Sequence, residues 1–267
     1  MIKKEVEKIL QYVQKPARYV GGELNSVVKN PDEVALRYAF CFPDTYEIGM
    51  SHLGMKILYG LVNARDDAWC ERVFAPDTDM EELMRKNNIP LFALESGDYI
   101  KDFDIIGFTL QYELSYTNVL NMLDLAGIKL FSKDRTELTP IICCGGPCAC
   151  NPEPIADFFD IVFLGDGEET TEQVLDLLKY CKENGLSKHD FLLKAKDIRG
   201  IYVPSFYEPS YNDDGTLREL KPINGAPEKI KKAVVANMDT CYYPDKFVVP
   251  FINIVHDRAV EEIFRGC

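Results

Sequence analysis

Four loops of this chain share a position directly after a predicted strand and carry residues able to bind a ligand. These residues are, in chain order, Asp44, Tyr46, Gly49, Thr109, Gly145, Gly146, Gly165, Gly167 and Glu168. Glycines let a backbone approach a bulky ligand closely because no side chain intervenes. Hydroxyl and carboxylate groups can hydrogen-bond to it. Each loop alone is also compatible with an ordinary tight turn, so the predicted site depends on all four loops meeting.

The cysteines suggest a second kind of chemistry, because four of the nine cluster at Cys143, Cys144, Cys148 and Cys150. Thiolates can hold zinc, yet neither a CxxC pair nor a neighbouring histidine supports such a site. We therefore expect thiols that pack in the core or in a loop. His52, at the start of a predicted helix near the same loops, is either a ligand-facing donor or a helix cap.

The elements that must position these residues alternate between strand and helix. Apolar stretches of strand length occupy residues 34–42, 70–74, 105–110, 141–144 and 161–164, and helical periodicity occupies residues 51–64, 80–86, 116–126 and 168–184. This alternation predicts a doubly wound, parallel α/β sheet of the flavodoxin or Rossmann type. Ligands bind such sheets in the crevice at the carboxyl ends of the strands, where we expect the four loops to meet.

Changes in composition and in hydrophobic pattern divide the chain into four regions. Residues 1–33 form an amphipathic helix and an extended arm, and residues 34–199 form the α/β domain. Residues 200–247 are rich in proline and predict a β-rich linker with short antiparallel strands. Residues 248–267 contain two further strand-like stretches, the second running into Arg265, Gly266 and Cys267.

Composition excludes several classes of protein. With 267 residues and 46% hydrophobic content, the chain can bury a full core. A net charge of -13 argues against binding naked nucleic acid, which requires clustered basic residues. No apolar stretch of membrane-spanning length and no signal-like amino terminus is present, so we predict a cytoplasmic protein that does not bind membranes.

The loops resemble those of cobalamin-binding-like domains that precede radical SAM barrels, and the resemblance covers roughly residues 23–267. In related cobalamin domains the first loop reads D-x-H-x-x-G, and its histidine replaces the cofactor's own base below cobalt. Asp44 and Gly49 match that pattern, whereas Tyr46 stands in place of the histidine. The resemblance implies that the residues of the four loops contact cobalamin, with no histidine available from this loop.

The last residues resemble the first strand of a radical SAM barrel and the first cysteine of its CxxxCxxC motif. This resemblance implies that residues 248–267 begin a truncated barrel and that Cys267 is a ligand of a four-iron four-sulfur cluster. The cluster and S-adenosylmethionine would then belong to a longer parent enzyme, with the barrel as partner of this domain. Cys144, Cys148 and Cys150 form CxxxCxC, one residue short of that motif.

Two other functions stay open for the crevice. The domain could be a cofactor-free α/β module that recognises substrate or partner surfaces for the barrel. It could also bind a flavin or nucleotide, although the sequence contains neither a G-x-G-x-x-G motif nor a P-loop. The fragment alone is not expected to be catalytic.

Overall fold

The central feature of the protein is a six-stranded sheet with the strand order β2-β1-β3-β4-β5-β6. The computed structural model describes residues 3–256, 258 and 260–265. The first five strands of the sheet are parallel, and β6 pairs with β5 in the antiparallel direction. The strands are β1 (Leu36–Phe42), β2 (Ala68–Phe74), β3 (Ile105–Thr109), β4 (Ile141–Gly145), β5 (Ile161–Phe163) and β6 (Ile201–Tyr202). The doubly wound α/β fold is thereby confirmed.

Helices cover both faces of this sheet. They are α1 (Lys4–Leu10), α2 (Tyr46–Gly49), α3 (Leu53–Asn63), α4 (Thr78–Asn87), α5 (Tyr116–Leu125), α6 (Glu168–Glu183) and α7 (Lys188–Ala195). Successive side chains of a strand point to opposite faces. In β1, Ala39 and Cys41 therefore join the core under α1, α4 and α5, while Tyr38 and Phe40 join the core under α3, α6 and α7. None of the helices in the described part of the chain is long and apolar enough to cross a membrane.

The predicted β-rich region contains one antiparallel hairpin, β7 (Tyr207–Tyr211) with β8 (Leu217–Pro222). The prediction of strands in the last twenty residues is wrong where the chain is described. Within residues 248–256 and 260–265 the only pairing is a single bridge from Val249 to Leu24. The strands in the described part of the chain pair with one another and not with these stretches. Ala259 and Cys267, at the two ends of the predicted barrel strand, lie outside the described residues.

Candidate functional site

A cavity of about 430 Å³ lies between the sheet and helices α3 and α6, at the carboxyl ends of the strands. Its walls come from alternate residues of four neighbouring strands, because only every second side chain faces this side. At the alternating positions these strand residues are Tyr38, Phe40, Gly107, Thr109, Cys143, Gly145 and Phe163, and Phe108 and Cys144 between them also border the cavity. Leu53, Ile57 and Leu58 of α3 close the opposite side. The site is thus a largely apolar pocket in the crevice where such folds bind ligands.

The floor of the cavity depends on small residues in the middle strands. A Cβ atom at Gly107 would lie 2.0 Å from the Tyr38 hydroxyl oxygen, so glycine is required for Tyr38 to lie across β3. Cys143 lies beside that hydroxyl and is 1% exposed. Burial raises the pKa values of both the phenol and the thiol above their ordinary values, so the floor is uncharged at neutral pH.

Six of the nine sequence-predicted residues line this cavity, namely Thr109, Gly145, Gly146, Gly165, Gly167 and Glu168. They come from three separate loops that the parallel strand order brings to one edge. The first loop lies at the same edge, since the Tyr112 hydroxyl donates to Asp44 Oδ2 at 2.6 Å. Its contribution to the cavity, however, comes from the residues that follow it, His52, Leu53 and Gly54.

The other three predicted residues, Asp44, Tyr46 and Gly49, lie outside the lining. The short helix α2 turns the Tyr46 ring into the core, where it is 1% exposed and packs edge-on against Phe74. Its hydroxyl donates to Glu23 Oε1 at 2.9 Å. A Cβ atom at Gly49 would lie 2.3 Å from the Phe74 ring, so this glycine serves the same packing.

The protein's own backbone accounts for two of the crevice glycines. Gly146 has a φ of 101°, and a Cβ atom there would lie 2.8 Å from the Leu110 carbonyl oxygen. Gly165 has a φ of 104°, and its Cβ would lie 2.1 Å from the Ala233 carbonyl oxygen. A side chain at either position would collide with the protein's own backbone. The presence of glycine there is therefore explained without a bound ligand.

Replacing Gly146 by alanine should lower the free energy of unfolding by about 2–3 kcal/mol, since the backbone conformation and the contact with Leu110 both oppose a side chain. Gly185→Ala is the matched control. Gly185 also has a positive φ, 61°, but a Cβ there would meet nothing within 4 Å. Its substitution should cost only about 1 kcal/mol. Urea denaturation measures the free energy of unfolding of both variants. Equal losses of stability would show that packing at Gly146 is unimportant.

The mouth of the cavity carries a cluster of charges. The Arg265 guanidinium donates to both carboxylate oxygens of Glu168, at 2.7 and 3.1 Å, and to Glu262 at 2.7 Å. Asp166 lies 3.5 Å from the same guanidinium. The hydrogen bonds and charge of Arg265 hold the pKa of Glu262 below its ordinary value. Residues 260–265 are thereby held across the entrance.

Sequence reasoning missed Arg265 and Glu262 as site residues, since Arg265 and Glu168 are 97 positions apart. It left two roles open for His52, a helix cap and a ligand-facing donor; the structure shows the cap and places the residue in the cavity lining. The His52 side chain caps the start of α3 by accepting from the Met55 N–H at 3.1 Å, and the same residue lines the cavity.

The clustered cysteines are dispersed by the fold. Cys143 and Cys144 are neighbours on β4 and point to opposite faces of the sheet, both buried. Cys148 is half-buried and Cys150 is exposed in the turn after the strand. Among the described residues, no three His, Cys, Asp or Glu side chains are grouped as a metal site. The described thiols therefore pack or lie in a loop.

Comparison with known proteins gives two matches. The family model for radical SAM proteins, N-terminal, matches residues 54–204. An uncharacterized protein of Methanocaldococcus jannaschii is 27% identical over 223 residues, which cover 78% of this chain and 42% of the relative. The chain thus spans less than half the length of that relative. No solved structure matches the chain.

Proposed function

Because this chain belongs to the family of N-terminal regions of radical SAM proteins, we propose that it holds a cobalamin-type cofactor for a radical SAM domain of a longer protein. The observation that supports the proposal is the apolar cavity at the carboxyl edge of the sheet. Doubly wound folds bind their ligands at this edge. The family match confirms the radical SAM part of the resemblance, while cobalamin stays a prediction.

In this proposal the cobalamin receives no nitrogen ligand from the first loop. Tyr46 occupies the position of the axial histidine, but its hydroxyl is buried and bonded to Glu23. Burial, and then the charge of Glu23, raise the pKa of the Tyr46 phenol above its ordinary value. To bind cobalt, the Tyr46 phenol would therefore have to lose its proton beside the negatively charged Glu23 carboxylate. Tyr46 thus supports the structure of the loop and does not coordinate the metal.

The cavity volume bears on which part of the cofactor enters. About 430 Å³ lies within the range typical of pockets for small ligands, roughly 300–1,000 Å³, and a whole corrinoid is far larger. We therefore propose that one portion of the molecule enters between the sheet and α3, and that the rest lies over the carboxyl edge. A bound cobalamin would supply the cobalt-centred chemistry, while this domain supplies binding and orientation.

The longer protein would cleave S-adenosylmethionine reductively at a four-iron four-sulfur cluster, with Cys267 as one ligand. That assignment follows from the resemblance of the terminal residues and from the family. The proposal for this chain itself is cofactor binding.

Titration with hydroxocobalamin, followed by its absorbance, tests the proposal. Leu58→Trp should fill the cavity and raise the dissociation constant at least tenfold, a loss of about 1.4 kcal/mol. Leu217→Trp is the control, because Leu217 is exposed on β8 and does not line the cavity. Both variants should keep the wild-type circular dichroism.

A parallel titration with flavin mononucleotide separates the alternatives. Binding of the flavin in place of cobalamin would favour a flavin domain. Cobalamin should be tested with cobalt in the +3 and in the +2 state. If the wild-type protein binds neither cobalamin nor the flavin, the cofactor-free α/β module becomes the favoured function.

A further inference from the structure

A second pocket lies at the amino ends of the strands, between the segment that precedes β4 and the start of α7, and is called the amino-edge pocket below. Its volume is about 460 Å³. Three cationic side chains line it, those of Lys133, Arg135 and Lys188, and Asp157 supplies the one carboxylate of its described lining. The cavity at the carboxyl edge has the opposite balance, with three carboxylates and one guanidinium among its described lining residues.

Two of these cations share a single buried carboxylate. Lys188 Nζ donates to Asp160 Oδ1 at 2.7 Å, and Arg135 Nη2 donates to the same oxygen at 3.0 Å. The side chains of Lys188, Arg135 and Asp160 are 7%, 6% and 0% exposed. Two positive charges against one negative leave this cluster with a net charge of +1. A buried charge without a counter-charge is costly, so a further negative charge would stabilise the cluster.

The Arg135 guanidinium is fixed in place and still has a donor to offer. Its Nη1 donates to the carbonyl oxygens of Lys129 and Leu130 at 2.8 and 2.6 Å. Its Nη2 donates to the Phe158 carbonyl oxygen at 2.8 Å as well as to Asp160. The remaining N–H, on Nε, is buried and has no hydrogen-bond partner among the residues that the structure describes. A bound acceptor would satisfy this donor.

The Lys188 ammonium also has a donor to offer. Two of its three hydrogens are used, one by Asp160 and one by the Arg135 carbonyl oxygen at 3.0 Å. Burial lowers the pKa of Lys188 below its ordinary value, the charge of Asp160 opposes this, and the charge of Arg135 adds to the lowering. A bound anion would favour the protonated amine, so the anion and the ammonium would stabilise each other.

The rest of the lining fits a small organic molecule. Phe159, Leu192 and Tyr207 contribute apolar surface, and the volume lies within the range typical of small-ligand pockets, roughly 300–1,000 Å³. Asp157 and Lys133 are exposed, so solvent and salt screen their opposite charges. The buried pair of cations therefore dominates the electrostatics of the pocket.

We propose that the amino-edge pocket binds a small organic oxyanion, a carboxylate or a phosphate, whose negative charge is held by Lys188 and Arg135. Both side chains are at least nine-tenths buried and are positioned by hydrogen bonds before any oxyanion binds. The inference is independent of the cofactor proposed for the cavity, because the two sites lie at opposite edges of the sheet.

The Arg135 Nε–H resonance reports binding in the wild-type protein. Benzoate and phenyl phosphate, titrated at constant ionic strength, should shift this resonance until it saturates. A few hydrogen bonds to charged groups support dissociation constants on the order of 1 mM. Benzamide, which has the shape of benzoate but no charge, should leave the resonance in place.

The two anions also distinguish the chemistry of the oxyanion. Saturation by benzoate alone identifies a carboxylate site, and saturation by phenyl phosphate alone identifies a phosphate site. Equal shifts with benzamide would overturn the inference, since they would show that charge is not recognised. Failure of both anions to saturate the resonance would overturn it as well.

Lys188→Met tests the excess charge directly. The variant leaves Arg135 and Asp160 as a pair of one cation and one anion, so it should keep the wild-type circular dichroism. Its affinity for the anion that wild type binds should fall at least about tenfold. Lys194→Met is the matched control, because Lys194 lies on the same helix, is exposed and does not line the pocket.

The control should stay within about twofold of wild type, since a distant exposed charge is screened. Equal losses of affinity in Lys188→Met and Lys194→Met would contradict the assignment of Lys188. If Lys188→Met does not fold, the wild-type titrations with benzoate, phenyl phosphate and benzamide still decide the question.

Discussion

Replacing Arg72 by alanine is expected to lower the free energy of unfolding by roughly 3–5 kcal/mol, the range found when one member of a buried ion pair is removed. The guanidinium of Arg72 is enclosed on β2, with the side chain 2% exposed. It donates to Glu95 Oε1 at 2.6 Å and to the two oxygens of Glu23 at 2.8 and 3.1 Å. The substitution would leave two buried carboxylates without their cation.

This ion-pair group also attaches the amino-terminal arm to the domain. Glu23 belongs to the arm and is 3% exposed, and it accepts from Tyr46 as well as from Arg72. Burial opposes ionisation of Glu23, but the hydrogen bonds and charge of Arg72 outweigh it and hold the pKa of that carboxyl below its ordinary value. Loss of Arg72 should therefore release the arm, and limited proteolysis should cut residues 16–32 sooner in Arg72→Ala than in wild type.

Arg65→Ala is the control for this comparison. Arg65 pairs with Asp67 and Asp176 at a more exposed position, where the Asp176 side chain is 65% exposed. Exposed pairs contribute little, so its substitution should cost about 1 kcal/mol or less. Urea denaturation of both variants decides the matter. Equal losses would contradict the large contribution to stability that is expected of the buried Arg72 group.

Asp160→Ala is expected to destabilise the protein by a similar amount, roughly 3–5 kcal/mol. Asp160 precedes β5, at the edge of the sheet opposite the cavity, and its side chain is fully buried. Its Oδ1 accepts from Lys188 at 2.7 Å and from Arg135 at 3.0 Å, and its Oδ2 accepts from the Ile142 N–H at 2.8 Å. Ser132 donates to the same carboxylate. Alanine would leave the buried Lys188 ammonium without a carboxylate.

The position of Asp160 makes this variant informative about function as well. Because the cluster lies at the amino ends of the strands, Asp160→Ala should leave ligand affinity unchanged under conditions where the protein stays folded. Asp197→Ala is the control, since Asp197 pairs with Lys196 on the surface and is 71% exposed. Thermal unfolding and ligand titration should be recorded together. A variant that keeps its stability but loses binding would contradict this separation of the two edges.

Local patterns in the amino-acid sequence determined much of the fold by themselves. Alternating apolar stretches predicted the five parallel strands and the helices between them, because side-chain periodicity is a property of each element by itself. The positions of the strand ends in turn predicted where the ligand crevice lies. Six of the nine proposed residues line its cavity, including Thr109 and Glu168. The short antiparallel strands of the proline-rich region, residues 200–247, were also predicted.

Tertiary structure alone decided where individual side chains point and which distant residues meet. The turn of α2 buries Tyr46 against Phe74, a direction that the D-x-Y-x-x-G spacing does not encode. Glu23 and Arg72 are 49 positions apart, so no local pattern could pair them. The apolar residues at 248–255 have the composition of a strand, but within the described residues their only strand-like pairing is the Val249–Leu24 bridge. Strand formation requires a partner's backbone groups, and only the assembled fold determines whether one is present.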